Sequence, residues 1–171
     1  MSSVRRSAKS ERSPSVTEYA LVVLVMGMIG LVGVPKRQTV DASTSTREVI
    51  EDLSSLRRAI ARYEDDHGRF PGADAGKVSS EVFALQLTKR TDAEGNVHLR
   101  GGEAAPLGPY LREIPDNVLT GLASVDVLEH DEPFASQPNR RTGWTYQPAT
   151  GEIRANSAEL LPGTRTRIYD L

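Results

Sequence analysis

One long run of apolar residues stands out near the start of the chain. From Tyr19 to Val34 no side chain carries a charge, and the tyrosine phenol is the only polar group among them. A helix of about 20 residues spans the roughly 30 Å apolar core of a bilayer, so this run can cross a membrane when its flanks contribute. We therefore predict a transmembrane helix over residues 14–35.

A different pattern begins after Pro35. Apolar residues recur at spacings of three and four, namely Val49, Leu53, Leu56, Ile60 and Tyr63. This spacing predicts an amphipathic helix with one apolar stripe, which ends near His67 and Gly68 because glycine favours a helix end. Since no proline lies between Pro35 and Pro71, we predict one long helix from Pro14 to Asp66. Pro35 removes a backbone donor and kinks it, and residues 36–68 hold its amphipathic half.

Residues 69–171 are predicted to form a small head that covers this stripe. A short helix is expected over Glu81–Lys89, with Ser79 or Ser80 as its N-cap. Alternating or aromatic runs predict strands at Ser124–Leu128, Gly143–Gln147, Glu152–Ala155 and Thr164–Tyr169, the middle two joined as a hairpin. We predict an α+β fold in which the long helix packs on an antiparallel sheet of three to four strands.

Charge predicts the orientation of the chain and excludes some functions. Residues 1–13 carry Arg5, Arg6, Lys9 and Arg12 against one acid, Glu11, and are predicted to be a basic cytoplasmic leader. The positive-inside rule then puts the head on the far side of the membrane. Beyond residue 35 acids outnumber cations, so we expect no nucleic-acid partner. The chain has no cysteine, which excludes disulfides, thiolate metal sites and a cysteine nucleophile.

Three groups of residues offer candidate chemistry, each with a structural alternative. The run Glu129-His130-Asp131-Glu132 could hold a hard cation or form a solvated loop, and the loop is favoured because adjacent side chains cannot all converge on one ion. Asp65-Asp66-His67 could be a metal pair or a polar helix end. Trp144 and Tyr146 could form a ligand platform or belong to the core. No catalytic motif is evident, so we predict no enzyme activity, no cofactor and no metal site.

The chain resembles a known family at several places. A basic leader, Glu18 at the start of the apolar run and Pro35 at its end resemble the N-terminal segment of type IV pilins and type II secretion pseudopilins. Glu18 and Pro35 stand at the separation that this family has between its glutamate and its proline. Four later blocks resemble a subgroup close to the major pseudopilin, namely Leu56–Gly72, Leu85–Val97, Gly108–Asn117 and Gly143–Ser157.

This resemblance implies a pilin-like fold and a structural role. It implies a subunit of a type II secretion pseudopilus or a type IV pilus-like filament, assembled from the inner membrane to support protein secretion. Its partners would be copies of itself, other pseudopilins, the secretion platform and its ATPase, and a prepilin peptidase. The chain would cross the inner membrane once, with its N-terminus cytoplasmic and its head periplasmic. The alternative is a permanently anchored protein whose periplasmic head binds a ligand or a partner.

The processing site departs from the family pattern. The family has glycine before the cut and usually phenylalanine after it, whereas this chain has Ser13 and Pro14. Because proline lacks the N–H and restrains the backbone, we expect slow or absent cleavage and N-methylation. The calcium loop of the major pseudopilin is not evident in residues 161–171, so we do not carry that site over.

Glu18 has two interpretations. A carboxylate at the centre of a membrane helix costs roughly 2.5–3.5 kcal/mol, so a simple anchor gains nothing from it. Glu18 can snorkel to the headgroups. By resemblance, it would instead pair with the N-terminal ammonium of a neighbouring subunit and set the stagger during assembly. If the chain is not cut before Pro14, Arg12 would be the substitute cation.

Overall fold

The computed structural model describes residues 42–74, 77–100 and 102–171, which belong to one compact unit, Val40–Leu171. The predicted leader, the transmembrane half of the long helix and the kink at Pro35 lie outside the described residues. No helix among the described residues is long and apolar enough to cross a membrane.

A 26-residue helix, α1 (Ala42–His67), opens the described part. Its apolar stripe is buried as predicted, since every member is at most 2% exposed, namely Val49, Leu53, Leu56, Ile60 and Tyr63. The helix ends at Gly68, whose φ of 66° is the left-handed conformation that glycine adopts without a steric cost. The Gly68 N–H donates to the Glu64 carbonyl at 2.7 Å, which satisfies one terminal carbonyl.

The second helix, α2 (Ser80–Thr88), is also where the sequence predicts it. The hydroxyl of Ser79 accepts a hydrogen bond from the Val82 N–H at 3.3 Å, so Ser79 is the N-cap. Phe83 and Leu87 point into the core and are fully buried.

In the described part of the chain, seven short strands form three small sheets. The pair β1 (Ala73–Asp74) with β2 (Lys77–Val78) and the pair β3 (Arg90–Thr91) with β4 (Val97–His98) are antiparallel. The third sheet has the order β5-β6-β7 and contains β5 (Val125–Val127), β6 (Trp144–Gln147) and β7 (Glu152–Ala155).

The prediction of a wholly antiparallel sheet is wrong at β5. The predicted hairpin of β6 and β7 is antiparallel, with Trp144 opposite Ala155, but β5 runs parallel to β6, with Val125 opposite Trp144. Parallel neighbours need a crossover connection, and residues 128–143 supply one without regular structure. The sheet is therefore mixed.

The predicted strand Thr164–Tyr169 is also wrong. Arg167 makes only an isolated bridge with Leu160, and Ile168–Asp170 forms a 3₁₀ turn. Ile168 and Tyr169 are both buried, whereas successive side chains of a strand point to opposite faces. Ile168 joins the core cluster, whereas Tyr169 lies near Arg154 and donates through its hydroxyl to the Ala135 carbonyl.

The core lies between α1, α2 and the third sheet. The α1 stripe packs with Trp144, Tyr146 and Ile153 of the hairpin in one hydrophobic cluster. Phe83 of α2 contacts Tyr146 with ring centroids 4.4 Å apart. At the edge of this cluster the guanidinium of Arg57 donates to the Ile153 carbonyl at 3.1 Å, which ties α1 to β7.

The buried stripe generates the first prediction. Replacing Leu56 or Ile60 by Asp puts an unpaired charge into the core, so we expect the free energy of unfolding to fall by more than about 3 kcal/mol. Chemical denaturation of residues 40–171 measures this. Ala61→Asp on the exposed face of the same helix is the matched control and should cost no more than about 1 kcal/mol, mainly because aspartate is a poorer helix former than alanine. An unchanged stability of Leu56→Asp would mean that the stripe is open to a partner.

Candidate functional site

The residues that the sequence assigns to assembly and processing are Ser13, Pro14, Glu18 and Pro35. All of them lie outside the described residues. Their roles stay predictions, and the structure is informative on the head and on the amphipathic half of the helix.

The rings of Tyr63, His67 and Tyr110 pack together at the C-terminal end of α1. Tyr63 stacks on His67 with ring centroids 3.9 Å apart, and Tyr110 meets Tyr63 edge-on at 5.5 Å. The Tyr110 hydroxyl donates to Asp66 Oδ2 at 2.7 Å. Burial, with the Asp66 carboxylate, raises the pKa of Tyr110, so its hydroxyl stays protonated and keeps this bond at neutral pH.

His67 joins the end of α1 to β3 and to the residue that follows β3. Its Nδ1 lies 2.8 Å from the Tyr63 carbonyl oxygen, while its Nε2 lies 3.0 Å from Thr91 Oγ1 and 3.1 Å from the Asp92 carbonyl oxygen. Both ring nitrogens are thus occupied by protein partners. Tyr110 binds Asp66, and His67 is hydrogen-bonded within the protein. These contacts agree with the interpretation of Asp65-Asp66-His67 as a polar helix end.

Asp92 organises the turn between β3 and β4. Its Oδ1 accepts from the Asn96 N–H at 2.8 Å, and its Oδ2 lies 3.0 Å from Asn96 Nδ2 and 3.1 Å from His98 Nε2. The hydrogen bonds from Asn96, followed by that from His98, lower the pKa of Asp92 to about 2. The carboxylate therefore stabilises the turn. Its oxygens accept hydrogen bonds from Asn96 in the turn and lie close to His98 in β4.

The same turn covers the hydroxyl of Tyr63. Gly95 has a φ of 78°, and a Cβ at this position would lie 2.5 Å from Tyr63 Oη and 2.7 Å from Arg69 Nη2. Arg69 donates to the Glu94 carbonyl, and the buried hydroxyl of Tyr63 has no hydrogen-bond partner among the described residues. Burial raises the pKa of Tyr63, with the nearby Arg69 cation acting in the opposite direction. Only glycine fits here.

The acidic run from Glu129 to Glu132 is an exposed loop between β5 and β6, as the loop interpretation predicts. Glu132 Oε2 accepts from the Glu129 N–H at 3.2 Å, and Gln147 Nε2 donates to the carbonyls of both residues. Within the described residues no group of three histidine and carboxylate side chains is arranged to hold a metal ion.

A shallow groove of about 420 Å³ lies beside this loop. The guanidinium carbon of Arg154 lies 4.1 Å from the Phe134 ring centroid, and its Nε donates to Glu152 Oε1 at 2.7 Å. Arg154 therefore has both an aromatic and a carboxylate partner.

Trp144 and Tyr146 belong to the core, and the ligand-platform interpretation is wrong. Both side chains are fully buried. Trp144 Nε1 donates to the Pro115 carbonyl at 2.9 Å, and the Tyr146 hydroxyl donates to the Pro71 carbonyl at 3.1 Å. Their polar atoms are used inside the protein.

The sequence did not indicate that amide side chains would be buried, and Asn117 and Gln86 are two of those that are. Asn117 donates through Nδ2 to the Gly143 carbonyl at 2.7 Å, and its Oδ1 accepts from the Leu119 N–H at 3.0 Å. Gln86 accepts from the Gly72 N–H at 2.8 Å and donates to the Gly95 carbonyl at 3.1 Å. Pro115 two residues before Asn117 is typical of a turn, whereas nothing in the helical run around Gln86 indicates a buried amide.

The solvent face of α1 carries its charges in blocks. Along the helix an arginine, Arg47, precedes the acids Glu48, Glu51 and Asp52, and three arginines precede a second group of acids, namely Arg57, Arg58 and Arg62 before Asp65 and Asp66. Like charges four residues apart destabilise a helix by roughly 0.2–0.5 kcal/mol. Arg47 with Glu51 and Arg62 with Asp66 are opposite charges at the same spacing, and they offset this cost.

Comparison with known proteins finds no match: no family model, no curated protein and no solved structure matches this chain. Function must therefore be inferred from the chain's own residues and their geometry.

The Asp92 turn generates the second prediction, which concerns pH. The pKa of Asp92 in the folded protein is about 2, below its ordinary value of about 3.9, so its stabilising contribution is present above about pH 4 and is lost as the pH falls through about 2. Asp92→Asn should therefore lower the melting temperature at pH 6, and the difference from wild type should shrink towards pH 2. Calorimetry of residues 40–171 measures both.

Asp131→Asn in the exposed acidic loop is the matched control and should leave the melting temperature unchanged at pH 6. A difference between wild type and Asp92→Asn that stays constant from pH 6 to pH 2 would contradict the role given to this carboxylate.

Proposed function

We propose that this chain is a structural subunit of a type II secretion pseudopilus or of a type IV pilus-like filament. The observation that carries the proposal is the order of features along the sequence: a basic leader, Glu18, an apolar run that ends at Pro35, and an amphipathic helix. The described α+β unit is compatible with this role, because α1 buries its apolar stripe against the head and keeps most of its charges in solvent.

In this function the two halves of the long helix have different tasks. The apolar half keeps the chain in the inner membrane and bundles with the same segment of other subunits, because it must stay away from water when it leaves the lipid. The α+β heads form the outer surface of the filament. Copies of the chain, other pseudopilins, the secretion platform and its ATPase would be the partners, with a prepilin peptidase acting before assembly.

Glu18 would set the contact between subunits. A carboxylate at the edge of the lipid is costly on its own, and a cation of the neighbouring chain offsets this cost. The cation would be the N-terminal ammonium after cleavage at Pro14, or Arg12 in an uncut chain. The same contact would fix how far one subunit is displaced from the next.

A second candidate function is a permanently anchored protein whose periplasmic head binds a partner. The observation that favours it is the replacement of the family's glycine and phenylalanine by Ser13 and Pro14, because an uncut leader would keep the chain in the membrane. The two functions agree on membrane location and differ in whether neighbouring subunits assemble.

The third prediction separates these functions at Glu18. Pairs of cysteines introduced within residues 19–34 of the full chain should give a ladder of crosslinked multimers, since the native chain has no cysteine to interfere. In Glu18→Ala the monomer should remain in the membrane while the ladder disappears, because the neighbouring cation has lost its partner.

Glu18→Asp is the matched control and should restore the ladder in part, since the shorter side chain keeps the charge but reaches less far. A ladder at full strength in Glu18→Ala, or no ladder with Glu18 present, would contradict the pairing role and favour the permanently anchored protein.

The fourth prediction concerns processing. Because Ser13 and Pro14 replace the usual pair, we expect little or no cleavage in cells that contain a prepilin peptidase. Intact mass spectrometry of the membrane fraction should find the uncut chain. A species that begins at Pro14, above all one carrying one added methyl group, would show this prediction to be wrong while supporting the filament function.

A further inference from the structure

The turn between β3 and β4 is held in place by side chains from outside it. Three of its backbone carbonyl groups each meet such a side chain, namely Asp92 with His67, Glu94 with Arg69 and Gly95 with Gln86. These contacts fasten the turn to the end of α1, to the segment that follows α1 and to α2. Of the three side chains only histidine changes its charge between about pH 5 and pH 8.

Both nitrogens of the His67 ring face backbone carbonyl oxygens. Nδ1 lies 2.8 Å from the carbonyl oxygen of Tyr63 within α1, and Nε2 lies 3.1 Å from that of Asp92 in the turn. A carbonyl oxygen only accepts, so both contacts are hydrogen bonds only when both nitrogens carry a proton. The neutral ring has one N–H and the imidazolium has two, so one of these bonds is lost when the proton leaves.

Thr91 determines which bond is lost. Its Oγ1 lies 3.0 Å from His67 Nε2, and a hydroxyl can donate to a nitrogen that carries no proton. The neutral ring then keeps its proton on Nδ1 for the Tyr63 carbonyl and accepts from Thr91 through Nε2. In this state the Asp92 carbonyl oxygen faces a lone pair instead of a donor. Deprotonation therefore removes the bond to the turn and keeps the bond within α1.

Charged neighbours surround His67 without bonding to its ring. Asp66 Oδ2 accepts from the Tyr110 hydroxyl, and Asp92 Oδ2 lies 3.1 Å from His98 Nε2. The other titratable or charged groups near the ring are Tyr63 and Arg62 of α1 and Arg69 after it. Among the described residues no ion pair includes His67. The effect of protonation on the turn thus comes from the carbonyl contacts.

We propose that His67 is a pH-sensitive latch, which closes the Asp92–Asn96 turn on α1 as an imidazolium and releases it as a neutral ring. Because the closed turn binds the imidazolium by one more hydrogen bond than the open turn, closing takes up a proton. The closed turn is therefore most stable at low pH, and this stability is lost as the pH rises. Opening uncovers the Tyr63 hydroxyl, over which Gly95 lies. The latch goes beyond the proposed function and operates in a filament subunit and in an anchored protein alike.

Hydrogen exchange of the full chain in detergent micelles tests the latch. The amides of Asp92 and Gly95 report on the turn, since they donate to the carbonyls of Asn96 at 3.1 Å and of Asp92 at 3.0 Å. Their protection factors, corrected for the intrinsic exchange rate at each pH, should fall by about tenfold from pH 5.5 to pH 8. In His67→Gln they should be equal at both pH values, because glutamine does not titrate.

The other two histidines of the chain supply matched controls. His130→Gln lies in the exposed acidic loop and should keep the wild-type fall in protection. His98→Gln removes the histidine beside the Asp92 carboxylate and should also keep it. If the fall persists in His67→Gln or disappears in His98→Gln, the pH response belongs to another group and the proposal is wrong. An equal fall in the hairpin of β6 and β7 would mean that the whole head loosens, which also contradicts a latch.

A second measurement leaves His67 in place and so does not depend on the folding of His67→Gln. In the double variant His98→Gln with His130→Gln, His67 is the only histidine, and nitrogen NMR of its labelled ring identifies the proton on each nitrogen. Both nitrogens should be protonated at pH 5.5, and only Nδ1 at pH 8. A neutral ring that keeps its proton on Nε2 would retain the bond to the Asp92 carbonyl, and this result would overturn the proposal.

Discussion

The packing of the α1 stripe on the hairpin of β6 and β7 is the interaction on which the rest of the head depends. An isolated helix is marginal in water, and so is a two-stranded hairpin. Leu56 and Ile60 belong to the same cluster as Tyr146 and Ile153, and burying each large apolar side chain contributes about 1.5–3 kcal/mol. Each element is therefore stabilised by the other, and the smaller sheets and turns are arranged around this contact.

The parts of the fold that local pattern determines could be predicted from the sequence. The α1 stripe, its end at Gly68, the Ser79 cap and the hairpin all follow from spacing and turn residues. The direction of β5 could not be predicted, because it depends on the path of residues 128–143. That path is held by distant hydrogen bonds, among them Gln147 to the Glu129 carbonyl at 3.3 Å and Tyr169 to the Ala135 carbonyl at 3.0 Å.

The candidate chemistry shows the same division. The sequence identified Trp144, Tyr146 and His67 as residues that could bind something, and only tertiary contacts decide that they do not. The polar side-chain atoms of each residue are hydrogen-bonded within the head, as those of buried polar groups usually are. The buried amide of Gln86 and the covered hydroxyl of Tyr63 have no local signature, since both are created by the turn at Gly95. The role of Glu18 stays a prediction from its place in the apolar run, because the residue lies outside the described residues.

The hydrogen bond from Arg57 to the Ile153 carbonyl bears on how copies of the head can meet. In the order β5-β6-β7 the strand β7 lies at the edge, where unpaired backbone groups could template the addition of a strand from another molecule. Arg57 occupies one of these acceptors with a side chain of the long helix. A foreign strand would have to displace this side chain before it could pair with the Ile153 carbonyl. The long helix therefore covers part of the sheet edge as well as one face of the sheet, which makes the addition of a foreign strand at β7 less favourable.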